Sequence, residues 1–357
     1  MKVIAWNVVL TFVILLAALA VHEAYLRYTI GPMQEGTLYE YTLKSKRYKV
    51  MKANAHTRSF GADVRTNDLG FRDVRASIPP KAPGEFRIIV LGDSVTFGPG
   101  LEYDQIYTSQ LEAALRRTHP EVRVINLSVE GYNIIQYEAV LEEVGLGLQP
   151  DMVLVGMFPT NDYELGDYTT HQRLAAGEHV QLPWYLSFYV YRAYLHRIPE
   201  LAYKALARVL PGDAAEGPDL GRQENLAALA KIAAITRERN LPLGVLLLPH
   251  TKGFATQRRV YFAPATAFCQ AEQLNCFDLL AEFQRLGLRD GGMILNAIDP
   301  HPNAEYNRLI AAELVPYVSA MLPAAATPMT PQAEPVKAPE PSVSPTPRVR
   351  ASLQEVQ

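Results

Sequence analysis

The stretch Arg87-Ile-Ile-Val-Leu-Gly-Asp-Ser-Val-Thr-Phe-Gly98 constrains the chain more than any other. Ile88 to Leu91 is an unbroken β-branched and aliphatic run, the pattern of a strand buried on both faces of a parallel sheet. The run stops at Gly92-Asp93-Ser94, residues that tolerate a tight turn and cap a helix. Open α/β sheets hold their ligands at the carboxyl ends of strands. A small hydroxyl placed there, that of Ser94, is a candidate nucleophile.

Downstream, apolar runs alternate with helical patterns, which is the signature of βαβ units. The runs predict strands over 86–91, 122–127, 152–157, 242–248 and 276–279. Helical spacing predicts helices over 103–118, 134–146, 222–239, 263–274 and 304–321. Five parallel strands with intervening helices imply an α/β, three-layer flavodoxin-like sandwich. Residues 85–322 would form this domain, with 163–221 as an insertion, after a lead-in over 25–84. Within the lead-in, 38–43 and 48–51 have short strand-like runs. Asn67-Asp-Leu-Gly-Phe-Arg72 reads as a turn followed by a packed aromatic. From 323 to 357 the composition turns to Pro, Ala, Ser and Thr without aromatics, too little apolar surface to offset the entropy of ordering. A disordered tail is expected there.

Val3 to Val21 is interrupted only by Asn7 and Thr11 and carries no charge. As a helix it just spans a bilayer core of ~30 Å. Residues 1–24 are therefore read as a signal-anchor transmembrane helix, with Ala18-Leu19-Ala20 leaving a cleaved signal peptide open. Lys2 before the run gives a weak positive-inside bias, amino terminus in and bulk of the chain out. Both readings place the working domain in the periplasm or an equivalent extracytoplasmic space, tethered to the inner membrane if the helix is kept. A buried soluble helix is the remaining alternative. The net charge of −3 and the absence of a long basic run disfavour a nucleic-acid partner. Two cysteines, Cys269 and Cys276, are too few for a disulfide framework; export would permit one bridge between them. No Cys/His cluster has zinc-like spacing, and the sequence requires neither metal nor cofactor.

Four turns carry polar residues suited to chemistry. Gly92-Asp93-Ser94 follows the first strand of the sheet, Asn126…Gly131 the second and Asn161-Asp162 the third, while Asp299-Pro-His301 opens the last helix. Acyl transfer through a serine needs a base, a group to orient it, and donors for the developing oxyanion. The motif is not the Gly-x-Ser-x-Gly elbow, since Leu91 and Val95 lack the flanking glycines. Nor does a Gly-Lys-Ser/Thr follow to make a Walker loop.

These residues resemble the SGNH hydrolase (GDSL esterase/lipase) superfamily over roughly 87–321. Gly92-Asp93-Ser94 matches its first block, Asn126 with Gly131 its second, Asn161-Asp162 its third and His301 its last. The resemblance implies a carboxylic ester hydrolase with Ser94 as nucleophile, His301 as general base and Asp299 orienting it. It also implies an oxyanion hole formed by the Ser94 and Gly131 backbone N–H groups with the Asn161 side-chain amide. Two positions depart from the family. Pro159 stands where the third block usually has glycine. Asp299 precedes His301 by two residues where three is common, a spacing similar to that of many bacterial envelope members. Asp290 as the orienting acid, a dyad without a carboxylate, and His250 as the base are the competing assignments.

Trp184, Tyr185, Phe188, Tyr189, Tyr191 and Tyr194 crowd into eleven residues of the insertion, before a helix-like run over 201–209. Such a cluster suits a lid over the site, stacking on sugar rings, entry into a membrane interface, or packing onto the main domain. By the resemblance and the inferred location, the expected reaction removes a small O-acyl group from a glycan, an acylated glycan or other small ester being the substrate. The alternatives are an O-acyltransferase using the same acyl-enzyme, and a non-catalytic glycan-binding scaffold.

Overall fold

The structure, a computed structural model, describes residues 2–33, 38–180, 184–195, 220–289 and 291–323. The expected helix over 201–209, the tail beyond 323 and Asp290 lie outside the described residues.

A parallel sheet of five strands has the order β6-β5-β7-β8-β9. The strands are β5 (Phe86–Gly92), β6 (Val122–Asn126), β7 (Met152–Met157), β8 (Leu243–Leu247) and β9 (Asn275–Asp278). In order of appearance this is 2-1-3-4-5, the flavodoxin-like arrangement inferred from the alternation. Ile88 to Leu91 are fully buried, as are Met152 to Val155, because helices cover both faces.

Those helices are α3 (Tyr107–Leu115), α4 (Ile134–Val140), α7 (Leu220–Glu238), α8 (Phe254–Gln257), α9 (Ala263–Ala271), α10 (Leu279–Arg285) and α11 (Ala304–Ser319). The expected helix over 134–146 ends its regular part at Val140 and continues through wider and then tighter turns to Leu148. The expected helix over 263–274 begins earlier, with α8 and one wider turn leading into α9. Helix α10, which the sequence pattern did not suggest, follows β9 directly and is capped by Asp278 accepting from Ala281 N–H. Cys269 of α9 and Cys276 of β9 are joined by a disulfide.

The lead-in forms two antiparallel hairpins, β1 (Tyr39–Tyr41) with β2 (Lys49–Met51) and β3 (His56–Ser59) with β4 (Ala62–Arg65). Phe71 is buried in the main core, as the aromatic after that turn was expected to be. Arg72 beside it is also buried and donates to the carbonyls of Phe97, Gly98 and Leu101. The lead-in thus pins the loop that leaves the Gly92-Asp93-Ser94 turn.

Helix α1 (Lys2–Ile30) is apolar and exposed along Val3–Val21, and it has the length and composition to cross a membrane. Its last turns pack on the domain. Leu26 joins Tyr189, Val190 and Ile298 in a small buried cluster separate from the main core.

Candidate active site

The site begins at the register of β5 and β7. Gly92 pairs with Gly156 across the sheet, and both lie under Thr96. A Cβ on either residue would stand 2.3 or 2.5 Å from Thr96 Oγ1, so the close approach admits only glycine. Thr96 Oγ1 in turn meets the buried Tyr107 hydroxyl at 2.9 Å. Over these glycines the chain turns into α2 (Ser94–Phe97), with Asp93 as its cap accepting from Val95 N–H at 2.9 Å. Ser94 is the first residue of that helix, a position whose N–H has no intrahelical acceptor.

The turn before α11 brings the second half. Asn296 Oδ1 accepts from the N–H groups of Ile298 and Asp299, and Leu295 N–H donates to His301 O. A bridge between Ile294 and Pro302 closes this loop. His301 Nε2 lies 2.8 Å from Ser94 Oγ, and His301 Nδ1 lies 2.6 Å from Asp299 Oδ1. The same carboxylate oxygen accepts from His301 N–H at 2.8 Å, so the two-residue spacing wraps the backbone around the acid it uses. With Nδ1–H given to Asp299, Nε2 is left to accept the Ser94 proton.

Electrostatics reinforce this arrangement. Burial penalises the charged form of His301, but the hydrogen bond and the charge of Asp299 outweigh it and raise the imidazole above its ordinary value. Burial likewise opposes ionisation of Asp299. His301 wins there too, with Arg192 adding to the effect, and holds the carboxyl below the usual range.

Asn161 is part of α5 (Pro159–Asp162), with Pro159 in its first turn. The proline that replaces the family's glycine thus sits where its fixed φ and missing N–H are tolerated. Asn161 Nδ2 donates to Asp93 Oδ2 at 3.3 Å. Asp162 turns inward, accepting from Phe158 N–H and the Tyr137 hydroxyl, both at 2.7 Å. Asp93 and Asp162 are fully buried. Burial pushes Asp93 up to about 7 and, with the nearby Asp93 charge, lifts Asp162 further.

Ser94, Asn161 and His301 line a cavity of about 160 Å³, together with Phe158, His250 and Pro300. His250 stacks on Phe158 with ring centroids 6.0 Å apart, and its Nδ1 accepts from Lys252 N–H. His301, not His250, meets Ser94.

Asn126 is buried behind the site. It donates to Thr96 O and Thr108 Oγ1 and accepts from Ser128 N–H, tying β6 to α2. Gly131 stands apart from the cavity lining, in the turn after β6 at φ +72°, with Lys49 Nζ, Asp167 and His171 around it.

Sequence reasoning missed Lys49. From β2 it donates to Glu130 O at 2.7 Å and lies over the Tyr39 ring, while Tyr132 bonds its carbonyl. His171, part of α6 (Gly166–Ala175), is driven down to about 3 by burial and by the Lys49 charge, so it is neutral beside that cation. The turn carrying Gly131 is therefore braced by the lead-in, a contact with no local sequence signal.

A flavodoxin-like sheet with Ser94, His301 and Asp299 in contact at its carboxyl rim gives the class, an α/β-fold protein with the side-chain arrangement that serine hydrolases use, without the Gly-x-Ser-x-Gly elbow. The chain matches the model of the GDSL-like Lipase/Acylhydrolase family over residues 90–309 and belongs to that family, which makes it a carboxylic ester hydrolase. No curated protein matches it. Among solved structures it is similar to TesA, at 15% identity over 66% of this chain and 99% of that one, with a TM-score of 0.42. It is similar to the acetyl xylan esterase AlAXEase at 13% identity, over 66% and 100% of the two chains, with a TM-score of 0.40. Axe2, an acetylxylan esterase from Geobacillus stearothermophilus, is 14% identical over 65% and 94%, with a TM-score of 0.41.

Proposed function

We propose that the chain is a membrane-tethered, extracytoplasmic esterase that removes small O-acyl groups from a glycan. The observation that carries the mechanism is the continuous Ser94–His301–Asp299 contact at 2.8 and 2.6 Å. Ser94 Oγ attacks the ester carbonyl while His301 Nε2 takes its proton. The tetrahedral oxyanion is held by the Ser94 N–H and the Asn161 amide, which line the cavity and do not titrate, with the Gly131 N–H as the third donor that the family resemblance implies. Collapse expels the alcohol, which takes the proton from His301. Water activated by the same base then releases the carboxylic acid.

A cavity of about 160 Å³ supports a small acyl group, since it has little room for a long chain. The Cys269–Cys276 disulfide and the apolar α1 support an oxidising space outside the cytoplasm. The glycan as the alcohol part rests on the resemblance to bacterial envelope members of the family together with that location.

The test is labelling by a fluorophosphonate together with hydrolysis of an aryl acetate. Wild type should be labelled and active and Ser94→Ala neither. A folded wild type that stays unlabelled refutes the nucleophile assignment. Acetate release from an acetylated oligosaccharide in the absence of any acceptor sugar supports hydrolysis; transfer to an added sugar instead would make the protein an acyltransferase.

A further inference from the structure

The aromatic stretch of the insertion lies against α1 and contributes no residue to the described lining of the Ser94 cavity. Trp184–Ser187 forms one tight turn and Tyr191–Leu195 a wider one. Glu23 of α1 accepts from the N–H groups of Tyr189 and Val190 at 3.1 and 2.8 Å. Arg27 pairs with Glu23, donates to Ser187 O and lies over the Tyr189 ring. The Tyr189 hydroxyl donates to Gly31 O, and His22 meets the Tyr194 hydroxyl at 3.0 Å. These contacts fix the segment at one height on the helix.

That height is informative. Nineteen residues from Val3 to Val21 rise about 28 Å at ~1.5 Å each, close to a hydrocarbon core of ~30 Å. Leu19 and Ala20 are therefore in the last turn of the span, and Glu23 and Arg27 stand just beyond it. Between these levels, Leu19, Ala20, Trp184, Tyr185, Phe188 and Tyr191 line an apolar groove of about 500 Å³. Trp184 is 76% exposed, and Tyr185, Phe188 and Tyr194 are exposed as well. Exposed aromatics are costly in water but favoured at the headgroup level of a bilayer, where an apolar ring and a polar edge are both satisfied.

We propose that residues 184–195 are an interfacial lipid-binding element. Trp184, Tyr185 and Phe188 enter the boundary between headgroups and acyl chains, and a lipid chain fills the groove against Leu19 and Ala20. This rests on α1 spanning the membrane. The groove is continuous with the apolar surface of that span, which identifies lipid as the occupant. The polar Glu23–Arg27 pair marks the upper limit of insertion.

Trp6 and Trp184 are the two tryptophans of the chain, so each can be read alone. The full chain is reconstituted in phosphatidylcholine vesicles containing a lipid with a nitroxide either near the headgroup or near the acyl terminus. In Trp6→Phe, the headgroup-proximal nitroxide should quench Trp184 several-fold more than the chain-terminal one, and aqueous acrylamide should quench it weakly. Full quenching by acrylamide without lipid quenching overturns the proposal. Protection from both quenchers overturns it as well, because protein then covers the groove. In Trp184→Phe, lipid quenching of Trp6 reports the span itself. A Trp6 untouched by either nitroxide would refute the membrane reading, and the interfacial site with it, whereas a quenched Trp6 beside a water-exposed Trp184 refutes the interfacial site alone.

Discussion

The Asn161 side-chain amide is tethered to Asp93, Nδ2 to Oδ2, at 3.3 Å. The amide thereby donates to a buried carboxyl while Asn161 lines the cavity together with Ser94. Asp93 is the cap of the serine helix, so it sets the first turn and the third turn together.

This relationship makes Asp93 a positioning residue whose loss mimics that of Asn161. Removing a single oxyanion donor costs ~10²–10³ in turnover, which is the expected effect of Asn161→Ala on kcat. Asp93→Asn keeps an acceptor for Val95 N–H but turns an amide toward Asn161 Nδ2, so kcat should fall ~10-fold or more through the same donor. Residues acting through one contact are non-additive. Asp93→Asn made in the Asn161→Ala background should therefore cost little further activity, and steady-state kinetics of the three variants will show it. Full additivity would mean that Asp93 acts elsewhere.

The pH dependence follows from His301. A general base works only when deprotonated, so activity disappears as pH falls through its pKa. That pKa is raised in the folded protein, where Asp299 outweighs burial. The acid limb of kcat/KM for a neutral ester should therefore lie above the ordinary histidine value near 6.5. In Asp299→Asn the stabilising carboxylate is gone and burial is opposed only by the weaker influence of the Glu130 and Asp93 charges, so the limb should move down. Turnover at its plateau should drop by roughly 10²–10⁴, because the imidazole loses its orienting acceptor. A limb that stays in place would move the orienting role off Asp299.

The residues that could be read from the sequence are those whose signal is local. Ile88 to Leu91 announces a doubly buried strand in four residues, and Gly92-Asp93-Ser94 announces its end. The relay was legible because each member lies in a turn after, or just before, a strongly patterned element. The bracing of that relay was not. Lys49 reaches Glu130 across 81 positions and Arg72 reaches Phe97 across 25, and neither spacing belongs to any local period. The β3–β4 hairpin turns on Phe60 and Gly61, both at positive φ. A phenylalanine at the first of these positions gives none of the Asn-Gly or Asp-Gly signal that marks such a turn. Ile298 reads only as an apolar residue in a loop until α1 packs on it.

The paired glycines beneath the serine helix predict a stability effect. A methyl on Gly156 would stand 2.5 Å from Thr96 Oγ1 and 2.8 Å from the Tyr107 hydroxyl, both buried. Overpacking of this kind costs ~1–3 kcal/mol, so Gly156→Ala should lose about that much in denaturant unfolding. Because the displaced atoms carry α2, kcat should fall as well. A variant of undiminished stability would show that Thr96 can rotate away freely.

The disulfide makes a separate contribution. It closes a short loop, Cys269 and Cys276 being separated by 7 in sequence, and the chain-entropy model assigns such a loop roughly 2–3 kcal/mol. Cys269→Ala with Cys276→Ala should lower stability by that order while leaving kcat/KM nearly unchanged, since β9 and α9 contribute nothing to the cavity lining. Loss of activity at full folding would tie the far edge of the sheet to the site.

The last prediction concerns the link between α1 and the relay. Ile298 is buried with Leu26, Tyr189 and Val190, and the next residue is Asp299. The loop has its own hydrogen bonds, from Asn296 Oδ1 and between Leu295 and His301, so removing the apolar contact should loosen it without unfolding the domain. Ile298→Ala is therefore expected to leave the main unfolding transition nearly in place, because the cluster is separate from the sheet core. Its effect should fall on kcat, about 10-fold, with KM for a small soluble ester little changed, as expected when catalytic geometry shifts and binding does not. The acid limb should also drop toward that of Asp299→Asn, since a loosened loop spends less time with the carboxylate on Nδ1. Glu23→Ala, which frees the N–H groups of Tyr189 and Val190 from α1, should move kcat in the same direction from the far end of the sequence. If both variants keep the wild-type kcat and pH profile, the hydrogen bonds of the loop suffice to hold His301 and the packing of α1 on Ile298 is dispensable for catalysis.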